Sequence, residues 1–131
     1  MTVIDTQVAA PATTTGWTRA CPLEYLIPGR GVAVLLPGGH QAALFLLPEG
    51  TLYAVGNIDP FGRAAVMSRG IVGDRGGEPV VASPLLKQPF SLLDGRCLDD
   101  TTKSLPVYSV RVADGTVSIS DEPVQMNGLP T

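Results

Sequence analysis

Histidine is nearly absent from this 131-residue chain: His40 is the only one. Cysteine occurs twice, as Cys21 and Cys97. Three such residues, far apart in sequence, fall short of the four Cys or His ligands of a structural zinc site. They also leave Ser68, Ser83 and Ser91 without a plausible histidine partner, so a serine triad has no support. Two cysteines cannot build a disulfide scaffold, and in a reducing compartment they stay thiols. Charged residues make up 16% of the chain and the net charge is −3. No basic stripe is available to neutralise phosphates, which excludes nucleic acid as a partner class. No apolar run approaches the ~18 residues of a membrane span. The N-terminal stretch MTVIDTQVAAPATTTG has neither a basic n-region nor a continuous apolar h-region, so it does not read as a signal peptide, and a cytoplasmic location is expected. The P-loop, a Gly-x-Gly-x-x-Gly opening a helix, Cys-x-x-Cys and His-x-x-x-His are all missing.

Glycine (15) and proline (12) are abundant, together about a fifth of the chain. Proline cannot continue a helix and glycine weakens one, so many turns and few helices follow. Trp17-Thr18-Arg19-Ala20-Cys21 reads as a short strand, with Trp17 packing against the body of the domain. Pro22 to Leu26 fits one helical turn. Gly31–Leu36 and Ala42–Leu47 form a hairpin across the turn cluster Pro37–Gln41, and Thr51–Val55 adds a third strand. Phe90–Leu93 is a strand closed by the turn Asp94-Gly95. Val107 to Val112 alternates apolar and polar as one half-buried strand, and Thr116–Ile119 is its hairpin partner. The predicted fold is all-β, a small barrel or sandwich of eight to ten short antiparallel strands. Residues 1–15 are expected to be a tail, residues 16–120 the domain, and residues 121–131 a second tail.

The features that hint at chemistry each have a plainer reading. Asp59 before Pro60 is ordinary turn chemistry. Asp99 and Asp100 are paired carboxylates with no apolar pocket to separate their pKa values, so a solvated loop is expected. The glycine-rich segment Gly70–Glu78 lacks a following helix that would hold an anion, and reads as a hairpin or loop between strands. Arg63, Arg69, Arg75 and Lys87 all fall near the two proline-bearing loops Asp59-Pro60-Phe61 and Ser83-Pro84-Leu85-Leu86. A basic patch on an acidic chain would steer an acidic partner, with scattered surface charge as the alternative.

Residues 57–97, with these two loops, resemble the cluster-binding half of a Rieske iron–sulfur domain. More specifically, the chain from Trp17 to Ile119 is similar to the small-subunit family of assimilatory NADH-dependent nitrite reductases. The resemblance rests on the Trp-Thr-Arg-Ala-Cys-Pro-Leu opening, Asn57-Ile58-Asp59-Pro60-Phe61, Ser68-Arg69-Gly70, Val81-Ala82-Ser83-Pro84-Leu85, Asp94-Gly95-Arg96-Cys97 and the closing hairpin. It implies a Rieske-like frame in which Asp59 and Phe61 stand at the first Cys and His positions, and Ser83 and Leu86 at the second pair. A Rieske cluster needs two histidines on one iron, so it implies a frame without a cluster. It further implies that FAD, an iron–sulfur cluster and siroheme reside in a large catalytic subunit that reduces nitrite to ammonium, with this chain as an accessory partner. A ligand-less module serving another oxidoreductase is the alternative. In such a frame Phe61 and Leu86 are expected to fill the former metal gap by packing, while Asp59 and Ser83 bond loop N–H groups.

Overall fold

Ala42 to Leu47 is apolar at every position, as expected of a strand covered on both faces rather than one. The computed structural model, which describes residues 16–124, shows this arrangement. Strand β3 (Gln41–Leu46) lies inside a four-stranded sheet of order β2-β3-β4-β8, with β2 Val32–Leu35, β4 Leu52–Gly56 and β8 Val107–Tyr108. Successive side chains of a strand point to opposite faces. Ala42 and Leu44, with Ala54 of β4, enter one core with Leu26, Val34, Leu36, Tyr108, Val117 and Ile119. Ala43 and Phe45, with Val55 of β4, enter a second core with Leu47, Met67, Val81, Phe90, Leu92, Cys97 and Leu105.

A three-stranded sheet flanks each core. The first has the order β1-β10-β9, from β1 (Trp17–Pro22), β10 (Thr116–Ser120) and β9 (Val110–Ala113). The second has the order β5-β6-β7, from β5 (Ile71–Arg75), β6 (Glu78–Ala82) and β7 (Pro89–Ser91). All pairings are antiparallel. The ten strands agree with the all-β expectation, and the helical content of the described residues is three single 3-10 turns. One of these covers Leu23–Tyr25, where a helical turn was expected. No helix among the described residues is long and apolar enough to cross a membrane.

Val107 to Val112 is not one strand: it splits at Ser109, with β8 pairing β4 and β9 pairing β10. Alternation records which residues face inward but not which sheet they join, so one uninterrupted pattern spans two sheets. Asp121 and Val124, past the expected boundary at residue 120, bond back to the domain. Asp121 donates its N–H to the Gly16 carbonyl at 2.6 Å, and its carboxylate accepts from Gly16 N–H at 3.1 Å and the Thr18 hydroxyl at 2.5 Å. Val124 N–H reaches the Val107 carbonyl at 2.7 Å. The expected tail at residues 1–15 and the rest of the expected C-terminal tail lie outside the described residues. Trp17 is half-buried, with the Arg111 guanidinium 4.2 Å above its ring.

Candidate functional site

The second flanking sheet and the loops that leave it form one end of the molecule. The chain enters through Asn57, which is buried and satisfied at four points. Its N–H reaches the Gln41 carbonyl and its carbonyl accepts from Met67 N–H, each at 3.0 Å. Its side chain donates to Gln41 Oε1 at 3.0 Å and accepts from Ser68 N–H at 2.8 Å. Asn57 thereby ties β3 to the 3-10 turn Met67–Arg69 and fixes the root of the first loop. The sequence marks Asn57 only as part of the first loop's motif, because a buried asparagine leaves no periodic signal of its role.

The two proline-bearing loops share one backbone template. In the first, Asp59 N–H donates to the Ala64 carbonyl and Arg63 N–H donates back to the Asp59 carbonyl, at 2.9 and 2.7 Å. In the second, Ser83 N–H donates to Gln88 and Lys87 N–H to Ser83, at 3.0 and 2.9 Å. The first side chain of each loop accepts an N–H two residues on: Phe61 to Asp59 Oδ1 at 2.8 Å, and Leu85 to Ser83 Oγ at 3.2 Å. The fifth residue of each is left-handed, Arg63 at φ 60 and Lys87 at φ 59. A third loop repeats the template outside the two loops singled out from the sequence. Ser91 exchanges bonds with Arg96 and Gly95, Leu93 N–H reaches Ser91 Oγ at 3.1 Å, and Gly95 has φ 82. The six-residue strings DPFGRA, SPLLKQ and SLLDGR share a polar acceptor at the first position, and only the third places a turn-forming glycine at the fifth.

The first two loops are joined side chain to side chain. Asp59 and Ser83 are both buried, and the Ser83 hydroxyl donates to Asp59 Oδ2. Gly62 N–H adds a 3.3 Å bond to the other carboxylate oxygen. Phe61 is half-buried, its ring centroid 6.1 Å from that of Phe90 at a tilted angle, and it packs on the second core. Leu86 does the opposite of what was expected: it is 58% exposed and fills no gap. Its neighbour Leu85 faces the first loop instead, so close that a Cβ on Gly62 would lie 2.6 Å from Leu85 Cδ1. The physical reason is the template. Residues 83–88 turn tightly between two hydrogen bonds to Ser83, and the fourth position points outward.

Three of the four candidate docking cations lie on the joined loops or on the turn tied to the first of them. Arg63 and Lys87 sit on the joined loops, and Arg69 ends the 3-10 turn tied to Asn57. Arg75 lies on β5 instead. It closes β5 at the turn opposite Ile71, four strand residues or roughly 13 Å away. There it makes a two-pronged ion pair with Asp99 at 2.7 and 3.2 Å. The pairing holds the Asp99 carboxyl below its ordinary range, and the Arg75 bond is the larger cause. Asp100 is likewise lowered, chiefly by the Thr102 hydroxyl, so the paired carboxylates are occupied by loop chemistry. Glycines 76 and 77 turn the Gly-rich segment into the β5–β6 hairpin.

A Rieske cluster takes two cysteine thiolates and two imidazoles. Asp59, Phe61, Ser83 and Leu86 supply none of these, and the two polar members are bonded to each other. The residues present therefore do not fit the cluster. Among the described residues, no three His, Cys, Asp or Glu side chains gather in a metal-ligating group. His40 is exposed in the turn before β3, Cys21 lies on β1, and Cys97 is buried with Sγ 3.6 Å from Gln88 Oε1.

Residues 16–120 match the family described as Rieske-like [2Fe-2S] domain. The nitrite reductase (NADH) small subunit of Salmonella typhimurium is 43% identical over 104 residues, covering 79% of this chain and 95% of the relative. A crystal structure from Mycobacterium tuberculosis, described as an NADH-dependent nitrite reductase small subunit, is 59% identical. It superposes with a TM-score of 0.79 and covers 82% of this chain and 96% of that one. The nitrite reductase [NAD(P)H] large subunit of Klebsiella oxytoca is 38% identical over 106 residues, which are 81% of this chain but 11% of that relative.

Proposed function

We propose a role from one premise: the chain belongs to the Rieske-like [2Fe-2S] domain family and, within it, to the small subunits of NADH nitrite reductases. In this reading the chain is an accessory subunit. It binds the large catalytic chain of an NADH-dependent, nitrite-to-ammonium reductase and has no redox or catalytic centre of its own. FAD, iron–sulfur cluster and siroheme belong to the large chain. The carrying observation is the direct Asp59–Ser83 hydrogen bond at two positions that the family resemblance assigns to cluster ligands. A side-chain bond between two loops does the joining that metal would do in a loaded frame. The Klebsiella oxytoca relative supports the partnership, because there the matching domain is part of a large-subunit chain. A cytoplasmic setting suits the two free thiols. No observation favours service to another oxidoreductase.

The test is co-expression with the large chain, followed by purification through a tag on the small one. A complex whose flavin and siroheme absorbance stays with the large chain is expected, and the small chain alone should be colourless and iron-free. Stoichiometric iron in the isolated small chain, or no association, would overturn the reading.

A further inference from the structure

The left-handed positions of the three template loops are filled unequally. In the loop at residues 91–96 the position is Gly95, where an added Cβ would come within 2.0 Å of the Leu105 carbonyl. In the two joined loops it is Arg63 and Lys87, both exposed. A left-handed φ disfavours any residue with a Cβ except, to a degree, Asn and Asp, so glycine is the stable choice at each. The third such non-glycine is Asp114, an expected turn residue beside Gly115. Arginine and lysine are neither small nor turn-favoured. Their presence puts two cations at matching places on adjacent loops, at the expense of local backbone strain.

The surroundings suit the same purpose. Residues 57–71 and 83–88 contain three cations, Arg63, Arg69 and Lys87, and one carboxylate, the buried Asp59, in a chain of net charge −3. None of the three makes an ion pair among the described residues. The same segments carry exposed Ile58, Leu85, Leu86 and Ile71, the last beside the second loop through its pairing with Ala82. Exposed apolar side chains set among charge of one sign have the composition of a protein interface. We infer that this end of the molecule, with Arg63 and Lys87 as its charged anchors, docks on a carboxylate-rimmed apolar face of the large catalytic subunit. This rests on the partnership proposed above and specifies its surface.

The geometry supplies a test in which folding and binding separate. The double variant Arg63→Gly, Lys87→Gly removes both charges while relieving both left-handed positions. Its melting temperature should equal or exceed that of the wild type. Its Kd for the purified large subunit should rise about tenfold at low salt, two exposed ion pairs being lost. The gap between variant and wild type should close as salt is raised, because rim charges act through screened attraction. Leu86→Ser should weaken binding while leaving the salt dependence intact. Wild-type binding that the double variant reproduces at low salt would overturn the docking surface and leave the partnership standing. No binding by the wild type would overturn both.

Discussion

The loops at 59–64 and 91–96 have the same backbone hydrogen bonds and opposite employment. In the loop at 91–96, Ser91 and Leu92 are buried, Gly95 is pressed against Leu105, and the Ser91 hydroxyl bonds Glu78 at 2.6 Å. In the loop at 59–64, Asp59 bonds across to a second loop of the same design, and the left-handed position presents a cation to solvent. One template therefore serves as packing in one place and as display in another. What differs is the partner of the first side chain and the space beside the fifth.

The largest effects should come from breaking the template where it packs. Gly95→Ala places a methyl group against a backbone carbonyl at φ 82, and a loss of more than about 3 kcal/mol in denaturant unfolding is expected. Asp59→Ala strands the Ser83 hydroxyl and the N–H groups of Phe61 and Gly62, with an expected cost of about 3 kcal/mol. Ser83→Ala should cost less, because Asp59 keeps its two N–H donors.

A sharper comparison lies within the joined loops. Phe61→Ala should cost about 2 kcal/mol, less than a fully buried phenylalanine, while Leu86→Ala should stay within about 0.5 kcal/mol. Equal costs would mean that Phe61 and Leu86 are used alike.

The smallest effect is one of pH. The Ser91 hydroxyl, and then Arg96, hold the Glu78 carboxyl below its ordinary range. Such a group contributes stability above its unfolded pKa of about 4.3 and loses it as pH falls through the lower folded value. The wild type should therefore lose slightly more stability than Glu78→Gln between pH 5 and the acid limit, by a small margin because the ion pair is exposed. Matching acid-unfolding curves for the two proteins would remove Glu78 from the account.

The strands were legible because each core-facing run is apolar, and β3 advertised its double burial by an almost unbroken run. The loops were legible as turns from Asp59-Pro60, Ser83-Pro84 and Asp94-Gly95. Other features were not. Leu85 and Leu86 are adjacent and chemically alike, so only the hydrogen-bonded turn decides which one meets Gly62. Arg75 is near the loops in sequence, but a strand carries it to the opposite end of its sheet. Ser109 breaks a strand without breaking its alternation. Asp121 looks like the start of a tail until Gly16 and Thr18, more than a hundred positions earlier, supply its partners. Each failure concerns a hydrogen bond or a placement in space, to which the pattern of apolar and polar residues is blind.

The central claim is that the joined loops are the surface given to the large subunit. Amide hydrogen exchange of the chain, free and saturated with purified large subunit, tests it most directly. The account predicts new protection at residues 61–63, 85–87 and 69–71, with little change in β1, β9 and β10. Protection confined to the β1-β10-β9 sheet, with the loops exchanging as in the free chain, would contradict it.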